Sequence, residues 1–146
     1  MINKTNRRLF LEHVAQTSPA PMAIEIVGAE GSYLQGVDGK QYLDLIGGIS
    51  VCNIGHKNPA VVNAVKEQAE AYLHVMVYGE VVQSPQVKYA GMLASQLPAH
   101  LDCVYFTNSG AEATEGALKL ARRVTGRPDI VCCNRAYHGN TLGALS

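Results

Sequence analysis

A polar turn between an apolar run and a helix-favouring stretch carries the clearest chemical signal in the sequence. Residues 103–107 are apolar and rich in β-formers, Asn108-Ser109-Gly110 follow at once, and residues 111–124 favour a helix. The first amide N–H groups of a helix have no intrahelical partner, and the helix dipole places partial positive charge there. Ser109 can cap this end, and Gly110 lets a ligand approach the backbone. The turn therefore predicts a phosphate site, although a simple helix cap would use the same residues.

This turn lacks the residues on which common nucleotide-binding loops depend. A P-loop needs a lysine followed by serine or threonine, and a dinucleotide fingerprint needs three spaced glycines. Neither pattern occurs around Gly110. ATP, GTP and NAD are therefore disfavoured, and a phosphate here would be held mainly by backbone donors.

A second polar loop follows the next apolar run. Residues 130–133 are apolar, and Tyr137 and His138 come shortly after them. The strand, helix, strand order predicts a parallel βαβ unit, and ligands collect at the carboxyl ends of such strands. The Tyr137 ring could therefore stack on a planar heterocycle near Gly110. An ordinary loop aromatic and a hydrogen-bonded histidine are the alternative interpretations.

A small sheet is predicted before these loops. A helix over residues 3–16 comes first, and three extended runs separated by turn residues follow it. The runs are residues 24–27, 32–35 and 41–44. Asp38-Gly39, between the last two runs, is a strong hairpin signal. Residues 1–55 are therefore expected to form one domain, with a helix and a small antiparallel sheet.

The rest of the chain begins with helices. Asn58 is a good N-cap and Pro59 suits the first helical position, and Ser84-Pro85 starts the next helix. The strand, helix, strand order described above follows them. We therefore predict that residues 56–146 form the start of a larger α/β domain.

Composition and charge exclude several classes of protein. The chain has 146 residues, of which 47% are hydrophobic and 16% charged, as in a folded globular protein. Lys+Arg and Asp+Glu both number 12, so the formal net charge is zero. This balance argues against nucleic acid and anionic membrane as partners. The polar start of the chain has neither a signal peptide nor a membrane span, so a cytoplasmic location is expected.

The four cysteines do not have the spacing of a metal site. They are Cys52, Cys103, Cys132 and Cys133. No C-x-x-C pair occurs among them, so we expect no metal and no disulfide framework. Reduced and mostly buried thiols are predicted instead.

Six blocks of sequence occur in a recognisable order. They are residues 37–44 (VDGKQYLD), 47–49 (GGI), 55–59 (GHKNP), 107–113 (TNSGAEA), 117–122 (ALKLAR) and 136–139 (AYHG). The first three blocks resemble the amino-terminal signature of the class III aminotransferases, enzymes that depend on pyridoxal 5'-phosphate (PLP). The next two resemble the family's phosphate-binding turn and helix, and the last resembles its cofactor-stacking loop. The resemblance covers nearly the whole chain from about Gly31.

The resemblance implies an α/β protein of fold type I. Such a protein has a large domain with a mostly parallel sheet, a smaller domain that joins both chain ends, and a homodimeric assembly. This chain would supply the amino-terminal segment of the small domain and the first βαβ part of the large one. The implied substrates are an amino acid or ω-amino donor and a 2-oxo acid acceptor.

The resemblance also implies roles for nine residues. Ser109, Gly110 and Ala111 match the phosphate-binding positions, with the backbone N–H groups of the last two as donors. Tyr137 matches the residue that stacks on the pyridine ring of PLP, with His138 beside it. The positions that match segments near the substrate are Ile49, Val51, Tyr78 and Glu80.

No catalytic residue is nominated. In the family, the lysine that forms a Schiff base with PLP and the acidic partner of the pyridine nitrogen lie further along the chain. None of the lysines here occupies the matching position; they are Lys4, Lys40, Lys57, Lys66, Lys88 and Lys119. We therefore expect this chain to be the cofactor-phosphate half of an aminotransferase and to be inactive alone.

Two other functions stay open. An aminomutase of the same family would keep the same cofactor site but return the nitrogen to the same substrate. A catalytically silent fragment or binding module would keep the phosphate turn without the lysine. The amino donor also stays open among acetylornithine, ornithine, 4-aminobutyrate and related ω-amino compounds.

Overall fold

The computed structural model describes residues 5–76 and 79–145, in two compact units. The first unit spans Met1–Val75 and the second spans Met76–Ser146. In chain order the elements are α1 (Asn6–His13), β1 (Ile26–Glu30), β2 (Tyr33–Gly36), β3 (Gln41–Leu43), α2 (Gly47–Ser50), α3 (Pro59–Ala71), α4 (Ser84–Ala94) and α5 (Gly110–Thr125). The assignment of residues 1–55 and 56–146 to two domains stays a prediction.

The first unit contains the antiparallel sheet that the sequence predicts. Its strands lie in the order β1-β2-β3, and Leu34 pairs with Ala29 on one side and with Tyr42 on the other. At the hairpin between β2 and β3, the amide of Gly36 donates to the carbonyl oxygen of Lys40 over 2.8 Å. The first strand begins two residues later than predicted, because Ile26 is the first residue to pair with β2.

The predicted helix starts are confirmed, two of them by side-chain caps. At the start of α3, Oδ1 of Asn58 accepts from the amide of Ala60 over 3.0 Å, and Pro59 lies in the first turn. α4 begins at Ser84, again with proline in the first turn, and ends at Ala94. Ser109 caps α5, which ends before Gly126. Side-chain caps thus mark the starts of α3 and α5, whereas α4 has proline in its first turn and no side-chain cap.

The two predicted parallel strands are not formed in the described residues. Residues 103–107 and 130–133 have no hydrogen-bonded strand neighbour there, so the predicted ladder between them was wrong. Tyr105 is 87% exposed and Val131 98% exposed. β-Favouring residues indicate that a segment suits a sheet, but a strand also needs a neighbour that pairs with its backbone.

The cysteines are free, but three of the four are exposed. Cys103, Cys132 and Cys133 are exposed and Cys52 is half-buried, so the prediction of mostly buried thiols was wrong. The reason is the same as for the strands: the apolar runs that carry these cysteines have no sheet neighbour to cover them. Among the described residues, none of the helices has both the length and the hydrophobicity that a transmembrane span requires.

Many large apolar side chains are open to solvent in both units. Leu45, Leu73 and Val82 are 87%, 85% and 89% exposed, and Ala144 is the one buried hydrophobic residue of the described part. In the first unit, an apolar groove of about 670 Å³ lies between α1 and the sheet, with Phe10 among its lining residues. Exposed apolar surface of this extent is typical of a chain that associates with other polypeptide.

We expect the 146-residue polypeptide by itself to self-associate and to bind a hydrophobic dye strongly. The physical reason is the apolar surface just described, which water solvates unfavourably. Sedimentation velocity and dye fluorescence would measure both properties. A monomer that does not bind the dye and unfolds in one cooperative transition would contradict this expectation.

Candidate functional site

The turn before α5 is held by a reciprocal pair of side-chain bonds. Oγ of Ser109 accepts from the amide of Glu112 over 3.1 Å, and Oε2 of Glu112 accepts from the amide of Asn108 over 2.7 Å. The hydroxyl of Thr107 donates to the carbonyl oxygen of Ser109 over 3.2 Å. In a capping box, the glutamate would accept from the amide of the capping residue, Ser109. Here Glu112 accepts instead from the amide one residue earlier, that of Asn108. This arrangement leaves the turn with one defined conformation.

Two backbone donors stay open inside this turn. The amides of Gly110 and Ala111 are the first two of α5 and have no intrahelical acceptor. No described residue accepts a hydrogen bond from either of them. A Cβ added at Gly110 would meet nothing within 4 Å, so space is open beside the donors. The hydroxyl hydrogen of Ser109 adds a third available donor.

The loop that carries Tyr137 and His138 returns to this same helix end. At Gly139, a Cβ would lie 2.6 Å from Cβ of Ala111 and 2.9 Å from its Cα. Gly139 also has a φ of +134°, which side-chain-bearing residues rarely adopt. Tyr137 is 75% exposed two residues before this contact, and His138 is exposed. The structure therefore brings the two predicted loops to one place, although the predicted strands behind them are not formed.

Glu115 binds the residues that follow this loop. Its Oε1 accepts from the amide of Gly143 over 2.7 Å. The pKa of the Glu115 carboxyl lies below its usual range, chiefly because of the Thr141 hydroxyl and then the Gly143 amide, while partial burial opposes the shift. Gly143 lies 28 residues away along the chain, so no local pattern indicates the contact.

A groove of about 980 Å³ lies next to the same helix in the second unit. Its lining includes Thr107, Asn108, Glu112, Glu115 and Thr141. The predicted cofactor residues do not line this groove. They lie at the open helix end.

The predicted substrate residues Ile49 and Val51 lie in the first unit, on a strained turn. The residues of α2 have φ values of +55°, +61°, +60° and +64° from Gly47 to Ser50, so α2 is one turn of left-handed helix. Two amides close the turn on the carbonyl oxygen of Gly47, those of Val51 at 2.9 Å and of Cys52 at 2.8 Å. Ile49 is 85% and Val51 78% exposed. A β-branched residue at positive φ is a genuine outlier, and such strain collects at ligand contacts.

The carboxylate of Asp44 holds this turn. Its Oδ1 accepts from the amides of Ile46 at 3.1 Å and Gly47 at 2.9 Å, and its Oδ2 lies 2.7 Å from Nε2 of His56. The Asp44 and His56 side chains are only 8% and 18% exposed. Hydrogen bonding to His56, and then to the Gly47 amide, lowers the pKa of Asp44. The backbone of His56 in turn bonds both ways with Gly31, at 2.7 and 3.1 Å.

The other two predicted substrate residues are Glu80 and Tyr78. Glu80 is exposed in a bend of the second unit. Tyr78 lies outside the described residues. The roles predicted for all nine site residues stay predictions.

The amino-acid sequence from residue 14 to residue 146 matches the family model described as aminotransferase class III. The chain belongs to this family. An acetylornithine aminotransferase from Bacillus anthracis is 41% identical over 137 residues, which cover 94% of this chain and 34% of that protein. The chain therefore spans about a third of the length of this curated relative.

Solved structures of aminotransferases share the fold. The taurine:2-oxoglutarate aminotransferase from Bifidobacterium kashiwanohense, in complex with PLP and glutamate, matches with a TM-score of 0.80 and 38% identity, covering 93% of this chain and 31% of that one. The adenosylmethionine-8-amino-7-oxononanoate aminotransferase from Methanocaldococcus jannaschii matches with a TM-score of 0.86 and 29% identity, covering 96% and 34%. The predicted family and the predicted fold type I are thereby confirmed.

The open helix end of this class III chain fits the phosphate group of PLP. Gly110 and Ala111 offer two unpaired N–H groups at the positive end of a helix dipole, next to open space. The carboxylate of Glu112, in the first turn of the same helix, accepts from the Asn108 amide. The exposed Tyr137 ring lies close along the chain to the Gly139 contact, where a planar group attached to that phosphate could meet it.

Substituting Asp44→Asn is expected to make the first unit less stable at neutral pH and to remove one acid-dependent step of unfolding. The folded-state pKa of Asp44 is lower than its ordinary value of 3.8, so its stabilisation is present above that pH and is lost as pH falls below it. Urea unfolding of the complete gene product at a series of pH values would measure this in wild type and in the variant. Asp102→Asn, at an exposed position, is the matched control, and an identical pH dependence in wild type and Asp44→Asn would contradict the role of Asp44.

Proposed function

We propose that the protein to which this chain belongs is a PLP-dependent aminotransferase, and that this chain holds the cofactor's phosphate and stacks on its ring. The observation that carries the proposal is the pair of open amides at Gly110 and Ala111, next to the loop of Tyr137. PLP, when bound, supplies the electron sink through which an amino group leaves a donor and is passed to a 2-oxo acid.

The residues of this chain would bind and orient the cofactor rather than react with it. The amides of Gly110 and Ala111 and the hydroxyl of Ser109 would donate to the phosphate oxygens. The Tyr137 ring would cover one face of the pyridine, with His138 next to it. Anchoring at both places would fix the ring against rotation, which is what a cofactor enzyme needs from its protein.

We further propose that the donor is an ω-amino compound of the acetylornithine type. Support comes from the curated relatives, several of which are named acetylornithine aminotransferases. Ile49 and Val51, presented by the left-handed turn, would supply apolar contacts to the donor, and Glu80 and Tyr78 would lie near it. The proposed assembly is a homodimer in the cytoplasm.

We expect the complete gene product to show a visible absorption band from bound PLP, which borohydride reduction traps on a lysine. Ser109→Ala and Tyr137→Ala should each raise the dissociation constant of PLP by about fivefold to tenfold, the scale of one hydrogen bond or one aromatic contact. Tyr137→Phe keeps the ring and is the matched control. A gene product that takes up no PLP would overturn the proposal and favour the silent binding module.

Transfer of labelled nitrogen distinguishes an aminotransferase from an aminomutase. With N-acetylornithine labelled at the ω-nitrogen and 2-oxoglutarate as acceptor, we expect the label in glutamate, detected by mass spectrometry. Reaction without any acceptor, with the label retained in a rearranged donor, would identify the aminomutase instead. Labelled 4-aminobutyrate in a parallel reaction tests the donor class.

A further inference from the structure

The segment after Tyr137 lies along one face of α5 and contacts it at two points. Gly139 meets Ala111, and Gly143 meets Glu115. Residues four apart on a helix lie on the same face, about one turn from each other. The segment is equally close at both points: a Cβ at Gly139 would lie 2.6 Å from Cβ of Ala111, and one at Gly143 would lie 2.5 Å from Oε2 of Glu115.

The two contacts differ in kind. At Gly139 the contact is one of van der Waals packing between small groups, which is individually weak. At Gly143 a carboxylate oxygen accepts the backbone amide over 2.7 Å, a charge-assisted bond of the stronger class. The Thr141 hydroxyl and the Ala144 amide also act on this carboxylate, and Ala144 is only 2% exposed. The polar contact is therefore the main attachment of the segment to the helix.

Glu115 does not act as a charge near a helix start. It is the sixth residue of α5, beyond the first turn where the helix dipole has most of its effect. Glu112 occupies that first turn and is used in the cap. Apart from a weaker interaction with Lys119 on the same helix, the partners of Glu115 all lie in residues 141–144, so its role is assigned to that segment.

We propose that Glu115 is a positioning residue for the cofactor site: by tethering residues 141–144 to α5, its carboxylate keeps the Tyr137 loop at the helix end that offers the amides of Gly110 and Ala111. This inference rests on the proposed PLP function. It adds to that function a residue that would touch neither cofactor nor substrate.

The tether matters because ordering a loop costs free energy. If the segment is already fixed, the cofactor gains the Tyr137 contact without the entropy loss of immobilising the loop. If the segment is loose, part of the binding free energy is spent on ordering it. Glu115→Gln keeps the size of the side chain but replaces an acceptor oxygen by a donor, so it should weaken cofactor binding through the loop.

Hydrogen exchange of residues 139–145, measured by mass spectrometry on the complete gene product without PLP, tests the tether itself. We expect faster exchange in Glu115→Gln than in wild type, with Glu115→Asp between them. Glu70→Gln, an exposed position on α3, is the matched control and should exchange as wild type does. Unchanged exchange in Glu115→Gln would overturn the inference. If that variant fails to fold, Thr141→Val, which removes one donor, takes its place.

A double-mutant cycle tests whether the tether acts through Tyr137. In the holoenzyme, Glu115→Gln should raise the PLP dissociation constant by up to about fivefold, because an effect that acts through Tyr137 cannot exceed the loss of the Tyr137 contact itself. In the Tyr137→Ala background, the same substitution should change it far less, because the contact that the tether supports is already gone. Fully additive effects would assign Glu115 a general structural role and overturn the positioning role.

The two measurements separate this inference from the proposed function. If wild-type protein binds no PLP, the proposed function fails and the positioning role fails with it, while hydrogen exchange still decides whether the tether exists. If wild-type protein binds PLP but the cycle shows no coupling, the proposed function stands and only the role of Glu115 fails.

Discussion

The amide groups at the start of a helix that no carbonyl of the helix can satisfy are the constraint on which the candidate site depends. In α5, Ser109 satisfies the amide of Glu112, and Glu112 satisfies that of Asn108. The amides of Gly110 and Ala111 have no acceptor in the described structure. Capping therefore does two things here: it fixes the turn, and it selects which donors are left for a ligand.

In each unit, a single carboxylate holds a loop in place through hydrogen bonds. Asp44 accepts two amides and the ring of His56 and so holds the left-handed turn. Glu115 accepts from the amide of Gly143 and so holds the segment that follows the Tyr137 loop. Both carboxyl groups have a lowered pKa for the same physical reason, since hydrogen bonds to the charged form favour it. The loops themselves have little apolar packing, so directed polar contacts take its place.

The sequence correctly predicted those structural features that depend only on neighbouring residues. Asp38-Gly39 predicted a hairpin, Asn58-Pro59 predicted a helix start, and Ser109 predicted the cap of α5, because each depends on neighbouring residues. The hydrogen bond between Glu115 and Gly143 joins residues 28 apart, so no local sequence pattern indicates it. The prediction of strands at residues 103–107 and 130–133 was wrong for a related reason. Their residues suit a sheet, but a strand needs a partner that lies elsewhere in the chain.

The left-handed turn in the first unit sets a limit on how this chain can be stabilised. Ile49 and Ser50 hold φ values of +60° and +64°, at a cost of about 1–2 kcal/mol each relative to glycine. Design for thermal stability alone would therefore replace both by glycine. At position 49 that replacement would delete the side chain that the turn displays to solvent. If Ile49 contacts the donor as proposed, a trade-off between stability and activity is concentrated in this one isoleucine.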